Sequence, residues 1–259
     1  MSQAMNRAIA VMLVLGGFFL AWELAVRLLG VPTYILPAPS QIAVELADNP
    51  LWYGRHAMYT IGACLLGFFM ALLVGVLAAV GIVYSKVLES TLYTLLVSLN
   101  SIPKIALAPL FIIWMGTGSS SKVAISMLIA LFAIVIDTVL GLRSVDPDVL
   151  ELTKSMRATP LQVLWKVRFP NALPAMFAGM KVAISLALVG AIAGEFVASQ
   201  VGLGYAILTA QGMFQTTSVF ASVVLLGVLG TILFYLMNLI ERLAVPWHVS
   251  QRGAGAPAH

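Results

Sequence analysis

"YTIGACLLGFFMALLVGVLAAVGIVY", residues 59–84, decides the fold class. It runs 26 residues without a charge. A helix needs about 20 apolar residues to cross a hydrocarbon core of about 30 Å. A membrane barrel would instead alternate polar and apolar residues over short strands. The run is too long and too uniform for that, so it predicts a transmembrane helix. Within it Gly67, Ala71, Gly75 and Ala79 recur every fourth residue. That spacing lays small side chains along one face, where a neighbouring helix backbone can approach closely. Tight packing within one subunit is the favoured reading of that face.

The rest of the chain agrees. Of 259 residues, 61% are hydrophobic and 9% charged, and the mean hydropathy is +1.02. Soluble domains carry roughly 25% charged residues. The polar surface here is too small to coat a globule in water. The fold class is an all-α polytopic membrane protein with six spans, at about 8–29, 59–84, 89–116, 122–142, 175–199 and 218–241. The first run is read as a retained helix that also serves as the insertion signal. The third contains Pro103 and Pro109, which predict breaks. No internal repeat is visible, and residues 1–259 read as one permease domain with a flexible tail at about 247–259.

Loop charges predict orientation. Arg7, Lys86, Arg143, Lys154, Arg157, Lys166, Arg168, Arg242 and Arg252 fall on one side, whereas Arg55 and Lys122 fall on the other with Arg27 near its edge. The richer side is the cytoplasm, and an even number of spans puts both termini there. The net charge of +4 is used up by this asymmetry and does not point to nucleic acid. Anionic lipid is the charge partner that any such loop meets. The one cysteine, Cys64, excludes a disulfide within the chain, and no metal-ligand spacing is present. Histidines occur only at 56, 248 and 259, outside the predicted spans, so proton relay and metal chemistry are disfavoured.

Polar residues inside the apolar runs are candidates for a translocation path, because intramembrane polarity needs a partner or a wet cavity. Lys104 follows Pro103, and with Asn100 and Ser101 it sits at a predicted break where backbone groups lose helical partners. Asp137 can pair with Lys104 or with a neighbouring helix. Glu195, beside Gly194 and before Gly202 and Gly204, can gate a path or anchor a loop. Glu23 and Arg27, four apart, form a structural pair. In the outer segment 31–58, Ser40 is expected to cap a short helix over Gln41–Ala47.

Residues 144–174 form the one polar interruption of length. Asp146 and Pro147 open a helix that is expected to run to about Met156. Thr159, Pro160 and Gln162 have the order of a capping box and start a second helix, expected to end near Pro170, with Pro174 leading into the fifth span. Leu150, Leu152, Met156, Leu161, Leu164 and Trp165 offer apolar contact, and Glu151, Lys154, Arg157, Lys166 and Arg168 offer charge. A loop resting on lipid needs no such caps. Two capped helices, a tight corner and a Glu151 that looks buried point to a protein partner.

These residues resemble the EAA loop of the inner-membrane permeases of ATP-binding-cassette (ABC) importers. The family pattern is Glu-Ala-Ala, three residues, Gly, nine residues, then Ile-x-Leu-Pro. Here Glu151-Leu152-Thr153 is followed by Lys154 to Met156, then Arg157, and nine residues later by Val167-Arg168-Phe169-Pro170. The stretches "YILPAPSQI" (34–42), "SIPKIALAPLFIIWMGTG" (101–118), "PNALPAMFAGMKVAI" (170–184) and "GEFVASQVGLGY" (194–205) extend the likeness to the subgroup for sulfonates, taurine, nitrate and pyrimidines.

The resemblance implies the type I importer architecture in a bacterial inner membrane. Two permease copies, as a homodimer, would form the path for a small anionic or heterocyclic solute. Two ABC ATPase subunits would dock on cytoplasmic coupling helices, and a periplasmic or lipid-anchored solute-binding protein would deliver the solute. Glu151, Leu152, Thr153, Lys154, Met156, Arg157 and Pro170 would carry ATPase coupling, with Glu151 meeting a basic residue of the ATPase. The chain has no P-loop pattern, so ATP and Mg would sit on the partner and this chain would bind no cofactor and perform no catalysis. Arginine at 157, where the family has glycine, is the departure: a corner that uses positive φ disfavours any Cβ. The alternative reading is a secondary transporter or channel working without an ATPase.

Overall fold

The computed structural model describes residues 3–93, 95, 98 and 102–247. All regular structure among them is helical. The order is α1 (Gln3–Leu28), α2 (Pro39–Asp48), α3 (Pro50–Tyr84), a π turn (Glu89–Tyr93), a 3₁₀ turn (Lys104–Leu107), α4 (Ala108–Met115) and α5 (Ser119–Arg143). Then follow α6 (Pro147–Ser155), α7 (Pro160–Ala198), α8 (Leu203–Gly212) and α9 (Thr216–Ala244). Among the described residues α3, α5, α7 and α9 are long and apolar enough to cross a membrane.

Several boundaries depart from the sequence reading. Helix α3 starts at Pro50, nine residues before the apolar run, because Pro50 suits a first turn and nothing up to Tyr59 breaks the helix. Helix α2 is capped at Ala38, not Ser40: Pro39 takes the first position and the Gln41 side chain accepts the Ala38 N–H at 2.9 Å. In the third expected span the break at Pro103 is real, with ψ 99° there, but Pro109 lies in the first turn of α4, where its missing N–H costs nothing. The second corner helix does not stop near Pro170. It continues as α7, widened to a π turn over Leu164–Arg168. A wide turn makes room for Pro170 and its absent donor, and Pro174 is carried inside the helix. Helix α8 was not foreseen at all.

The chain divides into two compact units, the segment up to Tyr59 with Gln200–Gly227, and Thr60–Ser199 with the segment from Val228. In the second unit α5 is packed against both α3 and α7. Ala71 and Ala79 are fully buried, and a Cβ on Gly75 would come within 2.8 Å of Ile134. The small-residue face of α3 therefore packs within the subunit, as its spacing predicts. On the other side, a Cβ on Gly190 would sit 2.6 Å from the Ser126 Cα, and the Ser126 hydroxyl donates to the Ala187 carbonyl at 2.8 Å. Cys64, fully buried, faces the Ile184 carbonyl and is a core residue.

In the first unit the Glu23–Arg27 pair forms, at 2.6 Å, and Ser40 joins it by donating its N–H and hydroxyl to Glu23 at 3.0 and 2.8 Å. That bond uses the hydroxyl expected to cap α2. Trp22 packs on Phe220. His56 is buried, accepts the Gly202 N–H at 2.9 Å and is flanked by Trp52 and Tyr205.

Candidate functional site

The corner between α6 and α7 is built from local signals. Asp146 caps α6, its carboxylate accepting the Asp148 N–H at 2.9 Å. Thr159 and Gln162 form the reciprocal capping box at the start of α7, at 3.3 and 2.9 Å. Between them the chain turns at Arg157, which has φ 54°. Its N–H reaches the Lys154 carbonyl at 2.9 Å, and the Ala158 N–H reaches the Thr153 carbonyl at 3.0 Å. These two bonds are the Schellman pair that satisfies the last carbonyls of a helix, with the left-handed residue at the position glycine favours. Arginine therefore adopts the glycine geometry, at a cost of about 1 kcal/mol.

The corner presents a mixed surface. Leu152, Met156, Leu161 and Trp165 are apolar yet 60%, 73%, 65% and 59% exposed, with the Trp165 ring also against Phe169. Glu151, Lys154 and Arg157 are exposed beside them. The expectation of a buried Glu151 fails: the helix face that turns inward carries Leu150 and Thr153, and Glu151 points away from it. Pro170 is half-buried within α7.

Arg168 behaves differently from the other basic residues. It is half-buried, and its guanidinium donates to the Leu142 carbonyl, at the end of α5, at 2.7 Å. The guanidinium carbon lies 5.8 Å from the centre of the Tyr84 ring, and the Tyr84 hydroxyl donates to the Pro160 carbonyl at 3.2 Å. Arg143, at the last turn of α5, pairs with Glu89 at 2.8 Å.

The described candidate path residues, Lys104, Asp137 and Glu195, each meet different neighbours. Asn100 and Ser101 lie outside the described residues. Lys104 opens the 3₁₀ turn, its ammonium 4.4 Å from the Phe132 ring centre. Asp137 is half-buried beside Gly179, where a Cβ would meet its carboxylate at 2.8 Å, and it is paired with neither Lys104 nor any other described residue. Glu195 is 1% exposed and accepts the Thr60 hydroxyl at 2.8 Å. Lys122, assigned to a loop by its position in the sequence, is buried in the first turn of α5 and donates to the Thr117 carbonyl.

Sequence reasoning missed an ion pair between two of the long apolar helices. Lys181 of α7 and Glu241 of α9 meet at 2.8 Å, both largely shielded from solvent. The signal was present: each is an isolated charge at the edge of an apolar run, and such charges need a partner of opposite sign. It missed also a cavity of about 610 Å³ in the first unit, walled by Tyr34, Trp52, Phe214 and Thr209 around Glu45. The Glu45 carboxylate accepts the hydroxyls of Tyr53 and Ser218 at 3.0 and 2.9 Å.

Four helices long and apolar enough to cross a membrane, with a doubly capped corner between two of them, define a polytopic membrane protein. Comparison with known proteins is specific. Residues 71–245 match the family described as the binding-protein-dependent transport system inner membrane component. The riboflavin transport system permease protein RibX of Chloroflexus aurantiacus is 36% identical over 233 residues, 88% of this chain and 86% of that protein. The formylaminopyrimidine transport permease protein ThiX of Halalkalibacterium halodurans is 33% identical, covering 89% of this chain and 92% of that protein. A solved chain of the methionine ABC transporter MetNI, in an inward-facing conformation, shares the fold with a TM-score of 0.65 at 21% identity, covering 72% of this chain and 93% of that one. The chain belongs to the binding-protein-dependent family of ABC importer permeases. It is a transport subunit and not an enzyme, and the reading as a secondary transporter or channel is set aside.

Proposed function

We propose that two copies of this chain form the translocation path of an ATP-driven importer, and that two ATPase subunits dock on the corner formed by α6 and the first turns of α7. The observation that carries this reading is the corner itself. It is fixed by two caps and a Schellman ending, yet it leaves a row of apolar side chains open beside three charges. A loop that merely joined two spans would need neither. Glu151, Leu152, Thr153, Lys154, Met156 and Arg157 are the contact residues, and Pro170 positions the return into the membrane. ATP and Mg belong to the partner.

The six-span reading, with both termini in the cytoplasm, is supported by the loop charges. Two of its six spans are α1 and the broken segment that ends in α4. The solute arrives on a periplasmic or lipid-anchored binding protein on the opposite face. Riboflavin and a formylaminopyrimidine, named for two relatives, favour a heterocycle within the class of small anionic or heterocyclic solutes. Sulfonate, taurine and nitrate permeases are also related, at 31%, 26% and 25% identity. Asn100, Ser101, Lys104, Asp137 and Glu195 remain the proposed polar contributors to the path.

The test is purification of the tagged chain from its native membrane. ATPase subunits should accompany it, and Glu151→Lys should separate ATP hydrolysis from uptake. Undiminished coupling in the Glu151→Lys assembly would sink the assignment of this corner.

A further inference from the structure

Four groups meet where the corner joins the long helices. Leu142 is fully buried, and its carbonyl is among the last four of α5, which have no partner within the helix. Arg168 supplies that partner at 2.7 Å. A cation there also complements the negative end of the helix. The same guanidinium lies over the ring of Tyr84, the last residue of α3, within the range of a cation–π contact. The Tyr84 hydroxyl closes the circuit on the Pro160 carbonyl, in the first turn after the corner. Two side chains thus connect three segments: the corner, the end of α3 and the end of α5. One donor is left over, since the Arg168 Nε–H is buried without a partner. A buried donor left unpaired calls for an explanation, and a contact that is remade when the corner moves provides one.

Resting on the docking reading above, we propose that Arg168, with Tyr84, is a positioning residue that transmits displacement of the corner by the ATPases to α3 and α5. The corner's outward contacts are apolar and exposed. Its inward contacts to those two helices include this charge-assisted hydrogen bond and the aromatic face beneath it. Removing Arg168 leaves the docking surface intact but unties it from the helices that must move. The π turn over Leu164–Arg168 places the guanidinium at this junction.

The test uses the full importer with its ATPases, in a Cys64→Ala background, with spin labels on two copies at Ser155→Cys in the corner or at Lys86→Cys beyond the end of α3. The probe is ATP–Mg with vanadate. In the otherwise native assembly both label pairs should change distance. In Arg168→Ala the Ser155 pair should still shift and the Lys86 shift should be lost. Arg168→Lys should restore it, because an ammonium can still reach the Leu142 carbonyl. Tyr84→Phe keeps the ring and removes the bond to Pro160, and should give a reduced Lys86 shift even if Arg168→Ala folds poorly. Native shifts at both sites in Arg168→Ala, or loss of both, would overturn the relay. Failure of the Ser155 pair to move in the native assembly would overturn the docking reading on which it rests.

Discussion

Arg157 shows how a residue can depart from a family pattern without changing the backbone. The Schellman bonds at 2.9 and 3.0 Å fix the left-handed position, and arginine pays a steric penalty to occupy it. Arg157→Gly should therefore raise stability by about 1 kcal/mol, read as a higher melting temperature of the solubilised protein. Transport should persist, because glycine keeps the left-handed corner backbone on which the rest of the docking surface is carried; a lower melting temperature would mean that arginine stabilises the corner in another way. The Lys181–Glu241 pair obeys a different rule. Breaking a shielded pair leaves one charge without compensation, whereas replacing both by apolar residues removes the problem. Glu241→Leu alone should cost about 3 kcal/mol, and Lys181→Met with Glu241→Leu much less. Equal losses for the single and double variants in thermal unfolding would show that the pair is not coupled.

At the scale of the element, the packing of α5 between α3 and α7 sets which substitutions are tolerated. A Cβ on Gly190 would lie 2.6 Å from the Ser126 Cα, so Gly190→Val meets backbone and has no flexible neighbour to push aside. Gly62, on α3, has no neighbouring atom within 4 Å of a Cβ. Gly190→Val should destabilise by about 2 kcal/mol from overpacking, while Gly62→Ala should be neutral or gain up to about 1 kcal/mol of helix propensity. Melting curves of the two variants check the contrast. The same local logic explains what the sequence could disclose. The caps at Asp146 and Thr159 were legible because the capping side chain and the N–H that donates to it lie within three residues of each other. The small-residue face of α3 was legible because its period is the helix's own. The Lys181–Glu241 pair spans sixty residues, and no local pattern couples them. Helix α7 was cut short because prolines normally end helices, and the π turn that absorbs Pro170 leaves no compositional mark. Helix α8 follows Gly202 at φ 117°, a turn that its glycine permits but that sequence cannot distinguish from a loop.

For the whole molecule, the division of the chain between the two faces of the membrane joins the charge pattern to the docking proposal. If basic loops are retained on the cytoplasmic side, the α6–α7 corner is cytoplasmic. The turn after α8 is then expected on the opposite face, because one apolar helix, α7, separates the two in sequence. Ser155 is exposed in the corner, and Phe214, at φ 58°, is exposed in that turn. Each can be replaced by cysteine in a Cys64→Ala background, since Cys64 itself is fully buried and its sulfur meets the Ile184 carbonyl at a weak 3.8 Å. A membrane-impermeant maleimide applied to intact cells from which the outer barrier has been removed should label Phe214→Cys and leave Ser155→Cys unreacted. Inside-out vesicles should reverse the pattern. ATPase subunits added to those vesicles should then protect Ser155→Cys and Met156→Cys, but not a cysteine at Lys86, which lies beyond the proposed contact. Labelling of Ser155→Cys from outside would invert the topology and place the corner where no ATPase can reach it. Protection at Lys86 alone would move the docking surface from the α6–α7 corner to the turn after α3.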